Sequence, residues 1–168
     1  IYQDEFGIIW IGTKDGLNRY NGTDFYIFRP VENDKHSLYN NNIGTICGDK
    51  DGHIYIRCKY AVVEYDIKKN IFHTIRDNNI QAISYGNSRL WACTRDSLFT
   101  YNRAEDKLEY YYHLEDVRLS CVTEDHEGNL YVGTMNNGLY MLDSNKKWLN
   151  YLPTKDITCI YEDSKKNI

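Results

Sequence analysis

The sequence predicts an all-β chain, a β-propeller of four-stranded antiparallel blades, from three observations: a repeat of about forty residues, central strands apolar without alternation, and a tyrosine-rich, proline-poor composition. Tyr occurs 16 times and Pro twice in 168 residues. Aromatic side chains suit a pleated, half-buried surface, so this composition favours sheet. No segment sustains a 3.6-residue apolar period over ten residues, so a helical reading fails.

Four segments superpose as one motif: Gly7-Ile-Ile-Trp-Ile-Gly-Thr13, Gly52-His-Ile-Tyr-Ile-Arg-Cys58, Ser88-Arg-Leu-Trp-Ala-Cys-Thr94 and Gly128-Asn-Leu-Tyr-Val-Gly-Thr134. Their aromatic anchors are Trp10, Tyr55, Trp91 and Tyr131, spaced by 45, 36 and 40 residues. Upstream of the last three anchors runs a short apolar strand (Ile43-Gly-Thr-Ile-Cys, Ile80-Gln-Ala-Ile-Ser, Leu119-Ser-Cys-Val-Thr), and Ile157-Thr-Cys-Ile-Tyr opens a further copy. Downstream come a third strand, clearest in Gly16-Leu-Asn-Arg-Tyr20 and Gly138-Leu-Tyr-Met-Leu142, and a fourth, as in Phe25-Tyr-Ile-Phe28. Each copy is therefore a meander of four strands with turn residues between them. The predicted blades cover about 1–42, 43–79, 80–118 and 119–156, and 157–168 starts a fifth.

Strand patterning separates a propeller from a sandwich. Ile8-Ile-Trp-Ile11 and Leu130-Tyr-Val132 are continuously apolar, which requires cover on both faces, as stacked blades provide. The fourth strands carry more polar residues (His73, Glu109, Asn150), as an outer edge should.

The net charge of −4 and the absence of a basic stripe argue against a nucleic-acid partner. No apolar run is long enough to cross a bilayer, so this segment is expected to make no direct membrane contact. The five cysteines form no C-x-x-C pair and read as small buried hydrophobes. Cys58 takes the place of Thr13, and Cys93 that of Gly12.

Asp4-x-x-Gly7-x-x-Trp10-Ile11-Gly12-Thr13-x-x-Gly16-Leu17-x-x-Tyr20 resembles the two-component regulator propeller repeat, and Asp125 to Leu139 matches it again. The second copy departs at Arg57, Cys58 and Ala61, and the third has Ser97 where Gly16 stands. The resemblance implies a periplasmic sensor segment of a hybrid two-component protein, whose parent chain carries a histidine kinase. It also implies seven-bladed propellers and control of polysaccharide-utilisation genes by glycan-derived oligosaccharides. Seven blades need about 280 residues, so the chain is expected to be part of a larger array. A four-bladed ring is the alternative, in which Ile157 to Tyr161 would complete the blade begun by Ile8 to Phe28.

Asp49-Lys-Asp-Gly52 and Asp125-His-Glu-Gly128 resemble the start of calcium loops, but His53 and Tyr60 stand where such a loop needs oxygen ligands. Hairpin turns with an Asp cap and a glycine at positive φ are expected instead, with no metal and no cofactor. The histidines are scattered and no nucleophile motif is present, so nothing supports an enzyme, including a propeller lyase of similar repeat shape.

Binding is the better prospect. The loops joining successive blades and those between second and third strands share one rim, including 29–42, 59–60, 77–79, 95–96, 113–118, 136–137 and 153–156. Aromatic faces with amide and guanidinium donors suit sugar recognition, which singles out His36, Tyr39 and Asn40 in the longest loop. Arg57 beside Lys59 and Tyr60, and Arg95 in the following copy, are cations that the repeat does not require. The expected partners are an oligosaccharide, other blades, or a second sensor chain in a homodimer.

Overall fold

The computed structural model describes residues 1–76, 79–143 and 145–168, in two compact units, 1–80 and 81–168. Asp77 and Asn78, named above as part of the rim, lie outside the described residues, as does Ser144.

The first unit holds two four-stranded sheets: β1 (Tyr2–Gln3), β2 (Ile9–Thr13), β3 (Gly16–Tyr20) and β4 (Phe25–Phe28), then β5 (Ile43–Gly48), β6 (His53–Cys58), β7 (Ala61–Asp66) and β8 (Ile71–Arg76). The second unit holds β9 (Ala82–Gly86), β10 (Arg89–Cys93), β11 (Ser97–Asn102) and β12 (Lys107–His113), then β13 (Arg118–Glu124), β14 (Leu130–Met135), β15 (Leu139–Leu142) and β16 (Trp148–Tyr151). In every sheet the strands pair antiparallel in chain order, and no helix occurs among the described residues. This is the expected all-β propeller architecture. The innermost place of the first sheet is taken by Tyr2–Gln3, paired with Trp10 and Ile9. Ile157 to Tyr161, which would hold that place in a four-bladed ring, belongs to no sheet.

The acidic turns explain the Asp-to-aromatic spacing. Asp4 accepts N–H bonds from Phe6 (3.0 Å) and Ile8 (2.9 Å) on one carboxylate oxygen, and the Trp10 indole N–H at 2.9 Å on the other. Asp125 accepts the N–H groups of Glu127 and Asn129 in the same way, and the Asn129 side chain donates to its other oxygen at 2.9 Å, with the Tyr131 hydroxyl nearby. Asp49 repeats the pattern with Asp51, His53 and, at 3.4 Å, the Tyr55 hydroxyl. Gly7, Gly52 and Gly128 take φ of 80°, 97° and 88°, as the turn requires. One carboxylate thus closes the turn and docks the anchor ring six residues on.

Burial works against the charge of Asp49 and Asp125, yet these N–H and side-chain donors hold both carboxyls below their usual range. A lowered folded pKa gives stability that is present above the unfolded value of about 3.9 and is lost as pH falls through the folded pKa. Stability is therefore expected to be flat near neutrality and to drop below about pH 4. Urea midpoints measured across pH check this, and a loss already complete at pH 5 to 6 would contradict it.

The third copy lacks this device. Its β9–β10 turn is a two-residue hairpin, Asn87-Ser88, with both residues at positive φ (45° and 64°), and no aspartate stands six residues before Trp91. The Trp91 indole N–H donates instead to Glu124 on β13, at 2.7 Å.

Threonine closes the hairpin between second and third strands in three copies, donating to the carbonyls of Gly16 (2.9 Å), Ser97 (3.4 Å) and Gly138 (2.7 Å). Cys58 replaces it in the second copy, and its thiol donates to the Asn40 carbonyl. Burial raises that thiol to about 11, so it stays protonated at neutral pH. This cysteine packs and caps.

Each unit has its own core. In the first, Trp10, Tyr65, Phe28 and Phe72 form an aromatic cluster, with Trp10 edge-on to Tyr65 at 5.5 Å. In the second, Trp91, Leu98, Leu119, Val122, Leu130 and Val132 pack together. Strand β7 has no wet side. Trp10, Tyr55 and Trp91 are buried as expected, but Tyr131 is only half-buried. It shares its face of β14 with Gly133, over which Ile157 lies, and the segment that follows forms no strand to seal that face. The fourth strands are exposed as expected of edges, but β4 and β12 carry Phe25, Tyr26 and Ile27, and Tyr110, Tyr111 and Tyr112, rather than mainly polar groups. Some of these rings lean on the interior, as Tyr111 does on Trp91 (4.8 Å).

Candidate functional site

The second unit gathers three loops around one open cleft of about 460 Å³. Arg95 and Asp96 come from the β10–β11 turn, residues of 113–118 from the end of β12, the connection and the start of β13, and Met135 to Asn137 from the end of β14 and the turn after it. These are loops of the expected rim. Backbone bonds fix them: Leu114 N–H donates to the Asp96 carbonyl (2.9 Å) and Leu119 N–H to that of Arg95 (2.7 Å). The Asn136 N–H donates to Asp156 at 2.7 Å, and the Asn150 side chain to the Asn137 carbonyl at 3.2 Å.

The cleft is polar and mixed in charge. Asp96 is engaged by the Ser97 hydroxyl (2.8 Å) and faces His113 Nδ1 at 3.9 Å. The guanidinium groups of Arg95 and Arg118 form no hydrogen bond or ion pair among the described residues, and both side chains are exposed. Such an arrangement can take hydroxyl-rich or anionic groups.

A second cleft, of about 540 Å³, lies in the first unit between the 30–39 loop and strand β8. His36 and Tyr39 line it with Asp34, Lys35, His73 and Thr74. It sits against the edge strand of its sheet. The His73 contribution comes from a fourth strand, where loop-based reasoning from sequence does not look.

The remaining sequence candidates are placed as follows. Asn40 has its carbonyl and N–H on Cys58, and its side chain accepts from Asn42 N–H at 2.9 Å. Arg57 is half-buried on β6, folds over Gly44 and donates to the Lys59 carbonyl at 2.6 Å. Lys59 and Tyr60 are exposed at the next turn, where the Tyr60 carbonyl accepts Ile80 N–H. Arg57, Lys59 and Tyr60 lie in the first unit, and Arg95 in the second. No group of three or more His, Cys, Asp or Glu side chains poised for a metal occurs among the described residues.

No protein-family model matches the chain. Along 99% of its length it is similar to the extracellular domain of a hybrid two-component system of B. thetaiotaomicron, at 25% identity and a TM-score of 0.80, covering 26% of that structure. This likeness agrees with the resemblance of the repeat to the two-component regulator propeller. The extracellular domain of a one-component system from the same organism matches over 95% of the chain with a TM-score of 0.75 and 20% identity, covering 24% of that structure, a likeness of fold. A 38-residue stretch is 45% identical to histidine kinase P4 of Formosa agariphila, covering 23% of the chain and 3% of the kinase. Virginiamycin B lyase of Staphylococcus aureus shares the fold at 13% identity over 94% of the chain and 56% of that structure, with a TM-score of 0.71. The chain spans about a quarter of the length of the sensor structures it matches. Both of these neighbours are extracellular domains of bacterial signalling systems.

Proposed function

We propose that this sensor propeller recognises a glycan-derived oligosaccharide, and that a parent chain with a histidine kinase converts the binding into control of polysaccharide-utilisation genes. The observation that carries the reading is the rim cleft of the second unit, where two unspent guanidinium groups stand beside the side-chain amides of Asn136 and Asn137. Sugars are recognised by such planar donors, and the exposed Arg95 matches the type singled out from sequence. The likeness to an extracellular sensor domain supplies the context. Catalysis has no constellation to rest on among the described residues, so the segment is read as a binding element.

Calorimetry with a panel of neutral and acidic oligosaccharides tests the proposal. Saturable heat with at least one of them is expected, together with a rise in the melting temperature. A panel that gives neither overturns it. The exposed aromatic strands β4 and β12 favour a second reading, a propeller that serves as a homodimerisation platform. Concentration-dependent dimerisation by sedimentation, without sugar binding, would support that reading.

A further inference from the structure

We infer that the ligand of the rim cleft is an acidic oligosaccharide, held by a uronate carboxylate or a sulfate ester between Arg95 and Arg118. The inference rests on the glycan reading above and narrows it. The hydrogen bond from Leu119 N–H to the Arg95 carbonyl sets the backbone of Arg118 next to that of Arg95. Two guanidinium groups that always carry charge are thereby held on neighbouring stretches of backbone, each with its donors open.

The chain had acids available to neutralise them. It carries 24 Asp and Glu against 20 Lys and Arg, and elsewhere it pairs exposed arginine, as Arg29 with Asp15 at 2.6 Å. In the cleft it does not. Asp96 is spent on Ser97, Thr94 and the neighbourhood of His113, and Asp156 on the Asn136 N–H. Asp116 is the one cleft carboxylate without a bond among the described residues, against two free guanidinium groups. The lining thus holds two arginines and two aspartates, and it is the open guanidinium donors, rather than a net charge, that are left for an anionic oxygen.

Guanidinium presents parallel N–H donors that match the oxygens of a carboxylate or sulfate, a fit that lysine would not give. The side-chain amides of Asn136 and Asn137 take no part in the bonds their backbones make, which leaves them for the hydroxyls of the same sugar. An acidic group between the arginines and hydroxyls against the amides would use both halves of the cleft.

The test is calorimetric titration of the full chain with trigalacturonate, a sulfated galactose oligosaccharide, neutral cellotriose and sodium sulfate. At least one acidic sugar should bind about tenfold or more tighter than cellotriose, and its affinity should fall as sodium chloride is raised. The double variant Arg95→Gln/Arg118→Gln should lose about tenfold in that affinity and keep its melting temperature, since both side chains are exposed. Cellotriose binding as tightly as the acidic sugars, or an unaffected double variant, overturns the acidic class and leaves the glycan reading standing. Sodium sulfate matching the acidic sugars would mean that the arginines hold a free anion and would remove the glycan reading. No heat from any probe removes both.

Discussion

Replacing Glu124 with leucine is expected to lower the stability of the second unit by about 3 kcal/mol. Glu124 is 8% exposed and accepts the indole N–H of Trp91, itself 2% exposed, at 2.7 Å. Arg89 adds to this contact, with its Nε 3.6 Å from the same carboxylate and its guanidinium 5.6 Å from the centre of the Trp91 ring. A charge-assisted bond is lost in the variant, and an indole donor remains in a dry interior with no acceptor, a cost of about 1–3 kcal/mol by itself. Glutamine keeps an acceptor there and should cost about 1 kcal/mol. Adding Trp91→Phe to Glu124→Leu removes the orphaned donor, so the double variant should be less destabilised than the sum of the singles, by about 1–2 kcal/mol. Urea unfolding followed by circular dichroism gives all four corners of the cycle. Strict additivity would show that the bond contributes nothing.

The cause of that bond also marks how far the sequence can be read. Three copies write the docking of their anchor in local sequence, as an aspartate six residues before Trp10, Tyr55 and Tyr131. The third copy shows only that something is missing, since Asn87-Ser88 makes a tight turn with no acid. Its replacement lies 33 residues further on, in the next sheet, where no local pattern points. The blades themselves were legible because each of their strands repeats one apolar pattern and one turn chemistry. The half-wet Tyr131 was not, because its cover depends on Ile157 and the irregular segment beyond it rather than on its own strand. The rim loops could be assigned from connectivity, and Arg95 stood out as a departure from the repeat. Arg118 was only one member of a loop, because its place beside Arg95 is made by a backbone hydrogen bond. Arg57 looked like a free cation for the converse reason: the Lys59 carbonyl that occupies it is visible only in the folded chain.

Gly12→Val is expected to destabilise the first unit by about 3 kcal/mol. The glycine of the Gly-Thr pair is required by proximity. A Cβ at Gly12 would lie 2.5 Å from Ile43 Cγ2, 3.0 Å from Ile43 Cβ and 3.3 Å from Ile46 Cδ1. Ile43 and Ile46 are 7% and 8% exposed on β5 and belong to the cluster around Trp10, so neither can turn away without opening the core. A β-branched side chain is stiff at χ1, which leaves separation of β2 from β5 as the way to relieve the clash. The second unit uses a related fit, in which a Cβ placed on Gly133 would meet Cys121 Sγ first and Ile157 Cγ2 at 2.8 Å. In each unit an isoleucine from a later stretch of chain is thus received by the bare glycine of a second strand. Ile43→Ala alone should cost about 2–5 kcal/mol through the cavity it leaves. Combined with Gly12→Val, it vacates the space that the new methyl groups need, so the double variant should be more stable than the sum of the two losses predicts, by at least about 1 kcal/mol. Losses that simply add would mean that β2 and β5 already have room to spare, and the glycine would then need another explanation.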